Sequence, residues 1–156
     1  MFEIRKRSLR ELATQRPTYL FETIIAAMGY AKSIGRDPGE FVRFFMERQT
    51  EWEKLKGDIE RVFQAFVLNF QQHTPMLDDE FRVFADERGV SLVAVPIEEL
   101  FKEEVERWGL TQEEVREGWK ESASYISEYT GFHIRYDHFD GKYWIHIIKP
   151  VEDSSG

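Results

Sequence analysis

The chain contains no cysteine among its 156 residues, which removes disulfides, thiol nucleophiles and cysteine-ligated zinc together. That fits a reducing compartment, and the expected location is the cytoplasm. Long apolar runs are missing too. The longest, residues 24–28, falls far short of the roughly 20 residues a membrane-spanning helix needs, and no signal-peptide core is visible. Basic residues are outnumbered, 21 Lys and Arg against 29 Asp and Glu, for a net charge of -8. Nucleic acid and anionic membrane surfaces are therefore not expected partners, because phosphate contacts draw their affinity from clustered cations. The one basic cluster, Arg5, Lys6, Arg7 and Arg10, reads as a solvated N-terminal segment. Catalytic signatures are absent as well: no Gly-x-Ser-x-Gly elbow, no glycine-rich phosphate loop, no His-Glu-x-x-His. No cofactor is implied, and the chain leans away from catalysis.

What the chain does have is apolar and aromatic material. Hydrophobic residues make up 42% and aromatics 15%, with thirteen Phe, enough to bury one core without covalent staples. We expect a single domain over residues 1–150 and a disordered tail at 151–156. The centre of the domain is the stretch at 37–73, which opens on a strong helix start. Asp37 serves as N-cap, Pro38 takes the first helical position, and Glu40 is placed to close a capping box. Phe41, Phe45, Trp52, Leu55, Ile59, Val62 and Phe66 then recur at helical spacing as one apolar seam. Unbroken, this helix would be about 52 Å long, against about 40 Å for the diameter of a compact chain of this size. Two readings resolve the conflict. In the preferred one Gly57 ends one helix and Asp58 caps the next; in the other the whole helix overhangs into a second subunit and makes a homodimer.

Upstream, Leu20, Ile24, Ala27, Met28, Ala31 and Ile34 predict a helix from Thr18 that Gly35 ends. The short connector makes it an antiparallel partner of the next helix, while residues 1–17 are weakly patterned. Downstream, Asp78, Asp79 and Glu80 predict the front of a short helix reaching Arg88. Residues 90–95 predict a strand and residues 97–108 a helix. Thr111 with Glu114, and Leu110 with Val115, form a capping box and a hydrophobic staple for a further helix that Gly131 ends. The acids of these last two helices, Glu98, Glu99, Glu103, Glu104, Glu113 and Glu117 among them, read as a solvated face.

Residues 132–149 alternate on either side of Asp140-Gly141, a type I′ hairpin signal that sets Arg135 opposite His146 and Tyr136 opposite Ile145. Phe132, Ile134, Tyr136, Tyr143, Ile145 and Ile147 then share the core face. The fold class is α+β: mainly helical, with an antiparallel helix pair packed on a small antiparallel sheet of about three strands that ends in a C-terminal β-hairpin.

The other hairpin face gathers His133, Arg135, Asp137 and His146. His133 and His146 are candidates for a divalent metal or, with Asp137, for acid-base chemistry. No ligand spacing supports them, and a half-exposed polar sheet face uses the same residues. The aromatic helices suggest instead a pocket between helices and sheet. Tyr30, Trp52, Tyr125 and Arg135 are expected to contact a small apolar or aromatic ligand there. The sequence thus points first to a non-catalytic small-molecule binding or sensing domain with an aromatic-lined pocket. The alternatives are a homodimeric structural or interaction module built on the long helical run, and a metal-assisted hydrolase using the hairpin histidines.

Overall fold

Along the described residues run six helices and four strands: α1 (Leu9–Ser33), α2 (Pro38–Gln49), α3 (Ile59–His73), β1 (Arg82–Asp86), β2 (Gly89–Ala94), α4 (Ile97–Leu100), α5 (Lys102–Arg107), α6 (Gln112–Thr130), β3 (His133–Phe139) and β4 (Lys142–Ile148). A 3-10 turn over Trp52–Leu55 separates α2 from α3. The computed structural model describes the backbone at residues 9–49, 51–73 and 81–150, and the side chains at 19–48, 51–69 and 81–150. The class is α+β, as expected.

The long central run is broken. α2 stops at Gln49, and after the 3-10 turn the chain bends at Gly57, whose φ of 79° suits a residue without a Cβ. Asp58 then caps α3, its Oδ1 accepting from Arg61 N at 3.1 Å. The first helix ends before the 3-10 turn rather than at Gly57 itself. Gly57 N–H donates to Thr130 O at 3.1 Å, which ties the bend to the end of α6. At the start of α2, Asp37 Oδ1 accepts from Gly39 N at 2.6 Å. Glu40 faces Arg36, 3.7 Å away, in place of the expected reciprocal bond.

Several expectations are overturned. The helix predicted to reach Arg88 is a strand: residues 82–86 form β1, and Glu87-Arg88 turns the chain into β2. Asp86 Oδ1 accepts from Arg88 N at 2.8 Å and Gly89 N at 3.1 Å. Val83 and Phe84 favour an extended chain, and β2 supplies the ladder partner that no local acid pattern reveals. Asp78, Asp79 and Glu80 lie outside the described residues, as do 151–156 and the side chains of the basic N-terminal cluster. The second correction is α1, which starts at Leu9 and passes through Pro17 rather than beginning at Thr18. A proline in a helix interior gives up one hydrogen bond at a cost of about 3 kcal/mol, so periodicity read alone stops there. The helix expected over residues 97–108 is also interrupted, at Phe101.

The sheet has four strands rather than about three, in the order β1-β2-β4-β3, antiparallel throughout. The hairpin register is the expected one, and its turn carries Asp140 at φ 52° and Gly141 at φ 65°. Phe132, Ile134, Tyr143, Ile145 and Ile147 are buried and belong to one core cluster with Phe21, Ile25 and Met28 of α1, Val62 of α3, and Val115 and Ile126 of α6. Glu114 N donates to Thr111 Oγ1 at 3.2 Å and Thr111 N to Glu114 Oε2 at 2.8 Å, so the α6 capping box is complete. No described helix is long and apolar enough to cross a membrane.

α1 and the end of α5 approach closely at Gly29. A Cβ built there falls inside contact distance of the Trp108 carbonyl oxygen and 3.1 Å from Trp108 Cβ. Alanine in a helix interior normally stabilises by about 1 kcal/mol over glycine, but here a backbone would have to move. Gly29→Ala is therefore expected to destabilise by about 1–3 kcal/mol in urea unfolding; a gain in stability would contradict this packing.

Candidate functional site

The four residues expected to hold a ligand do not converge. Trp52 and Tyr125 line one cleft of about 270 Å³ together with Arg48 and Tyr129. Tyr30 stands 66% exposed on α1, on the side away from the buried Phe21, Ile25 and Met28. Arg135 lies on the outer face of the sheet, where β3 turns it away from the helices. In the cleft the Tyr125 and Tyr129 ring centroids are 4.6 Å apart, and outside its lining the Arg43 guanidinium sits 5.6 Å from the Tyr125 centroid. Burial raises the Tyr125 phenol above its ordinary range. Trp52 Nε1 is buried without a hydrogen-bond partner among the described residues.

A larger groove opens where the bend at Gly57 meets the end of the sheet. It encloses about 990 Å³, with Ile59, Phe132 and Ile148 in its walls and Lys56, Arg88 and Lys149 on its rim. A second hollow of about 320 Å³ shares Ile59 and Lys149 and continues along α3 past Phe63, Val83 and Val90. The break before α3 makes one wall; the β1–β2 turn makes the other. That turn is held in place, since Lys149 N donates to Arg88 O at 2.9 Å and Lys149 Nζ to Glu87 O at 3.3 Å. The Lys56 and Arg88 side chains have no acidic partner among the described residues.

On the outer sheet face the register aligns Ser91, His146 and Arg135 across three strands. Ser91 Oγ is 2.7 Å from His146 Nδ1, His146 Nε2 is 3.3 Å from Asp137 Oδ2, and Arg135 Nε donates to the same Asp137 oxygen at 2.9 Å. Such a chain can polarise a hydroxyl, but acyl transfer also needs donors aimed at a developing oxyanion. β2 is an interior strand, so the backbone N–H groups around Ser91 are spent in the ladder. His133 shares this face, yet both ring nitrogens of His146 are already engaged. Among the described residues no group of three or more His, Asp or Glu is placed to hold a metal ion. Ser91 escaped sequence reasoning because the β2–β4 pairing leaves no local signal.

Glu98, expected on a solvated face, is fully buried. Pro96 starts α4 as a single turn and aims both Ile97 and Glu98 inward. Glu98 Oε1 accepts from Arg116 Nε at 3.0 Å and from the Tyr143 hydroxyl, while Oε2 is buried without a partner among the described residues. Arg116 Nη2 reaches Glu99 at 2.8 Å, and Glu99 meets His138 Nε2 at 2.9 Å. Burial, reinforced by Glu98, raises the Tyr143 phenol far above the ordinary tyrosine range, and the same two causes raise Tyr136.

Removing Arg116 leaves a buried carboxylate uncompensated. Arg116→Met should lower stability by about 3–5 kcal/mol in urea unfolding, and Glu98→Gln in that background should restore part of the loss; no recovery would show that charge is not the cause. The two phenols give a second expectation. Their folded pKa values lie above the unfolded value near 10, so their contribution is intact below about pH 10 and is lost as pH rises through the folded values. Phenolate absorbance should show Tyr136 and Tyr143 ionising only as the chain unfolds in alkali, and Tyr143→Phe should flatten that dependence.

Comparison of the chain with protein-family models, with curated proteins and with solved structures found no match, so the functional reading rests on this geometry.

Proposed function

We propose that the chain is a non-catalytic binding or sensing domain that holds a small, partly apolar ligand in the groove where the Gly57 bend meets the end of the sheet. The observation that carries this is the groove itself. Its volume of about 990 Å³ falls within the range of about 300–1,000 Å³ typical of small-molecule sites, whereas the Trp52–Tyr125 cleft, at about 270 Å³, is smaller. Apolar walls and a polar rim are the usual division of labour in such sites, the walls giving affinity and the rim orientation. A cytoplasmic location accompanies the proposal on the strength of the cysteine-free sequence.

The dimer alternative drew its force from a helix too long for a compact chain. α2 and α3 are separate helices, so that argument no longer applies. The hydrolase alternative would require a metal to displace Ser91 or Asp137 from His146.

A thermal-shift screen against diverse metabolites tests the proposal. Ligand at a hundred times its dissociation constant adds about 2.7 kcal/mol, a rise of about 5–10 °C in a domain of this size. Ile59→Trp, which fills the groove wall, should abolish the shift. No stabilising compound, or a shift untouched by Ile59→Trp, would overturn the assignment.

A further inference from the structure

The charges around the groove are not evenly spread. At the end by the Gly57 bend, three cations, Lys56, Arg88 and Lys149, face one acid, Glu87. Along α3, the continuing hollow has one cation, Lys149, and two acids, Glu60 and Asp86. In a chain whose net charge is -8, a cationic mouth on an apolar groove is a local reversal of sign. The cations are also available. Among the described residues Lys56 and Arg88 carry no ion pair, and the Lys149 ammonium donates only to the backbone oxygen of Glu87. Their backbones are fixed, since Asp86 and Lys149 hold the Arg88 turn and Gly57 is bonded to Thr130.

We infer that the ligand is an amphiphile with a single carboxylate head and an alkyl chain. This inference rests on the groove being the binding site. The head lies among Lys56, Arg88 and Lys149, and the chain runs past Ile59 toward Phe63 and Val90. The reverse orientation would place the head beside Phe63, Val83 and Val90, away from the three cations and without a partner for its charge. A guanidinium at the mouth suits a carboxylate better than an ammonium does, since it offers two parallel donors.

The test is calorimetric titration of the full chain with decanoate, decanol and decyltrimethylammonium, the two ions below their micelle concentrations and decanol below its solubility limit. Decanoate should bind about tenfold or more tightly than decanol, and its affinity should fall as salt is raised. Lys56→Gln with Arg88→Gln should weaken decanoate about tenfold while leaving decanol unchanged. Both sites are exposed, so the variant should fold, with its unfolding midpoint as the control. Equal binding of decanoate and decanol, or preference for the ammonium, overturns the carboxylate assignment but leaves the groove as a binding site. Binding of none of the three overturns the inference, and the binding-domain proposal survives only if the metabolite screen yields another ligand that Ile59→Trp abolishes.

Discussion

The carboxyl group of Glu98 holds three elements to one point: α4, which carries it, α6, which sends Arg116, and β4, which sends the Tyr143 hydroxyl. Taking a carboxylate and a guanidinium out of water costs several kcal/mol per ion even after relaxation, so the fold is constrained to deliver both partners. Delivering Arg116 requires α6 to lie over the sheet with Val115 beneath it. Delivering Tyr143 requires β4 to show its odd-numbered residues to the helices, which fixes the register of β3 on one side and β2 on the other. By contrast, exposed pairs such as Arg36 with Glu40, with both side chains more than 60% exposed, contribute little.

The parts of this architecture legible in the sequence are those decided within a few residues. The hairpin turn at Asp140-Gly141, its alternation, and the capping box of Thr111 and Glu114 are local choices, and each has the predicted geometry. The bend at Gly57 with Asp58 as the next cap was legible for the same reason. β1 was not, because its extended form depends on pairing with β2 and its acids upstream favour a helix start equally well. Glu98 misled because a Glu-rich segment looks solvated whatever lies beneath one of its members. Ser91 meets His146 only through a pairing of distant strands, so neither spacing nor composition brings them together.

The candidate site was the least legible feature. Its walls and rim come from four separate stretches, around residues 56–59, 87–88, 130–132 and 148–150. None of these carries an aromatic run or a recognised motif. The aromatic richness that suggested a pocket is mostly consumed elsewhere: Phe21, Trp52, Phe66 and Tyr125 pack in the core. Aromatic content therefore signalled a well-filled interior, while the space left open is set by where α3 is interrupted and where β1 turns into β2.

The strand order β1-β2-β4-β3 also divides the assembly of the chain. β1 with β2 and β3 with β4 are hairpins whose partners are near neighbours in sequence, but the seam between β2 and β4 joins residue 89 to residue 148. Closing so long a loop costs entropy that local pairing does not, and contacts of this range are the ones that slow folding. Besides the stretch at residues 56–59, the groove takes Arg88 from one hairpin and Phe132 and Lys149 from the flanks of the other. The groove is thus absent from any intermediate in which the hairpins have formed but not met, and it is completed only when the sheet is fully zipped.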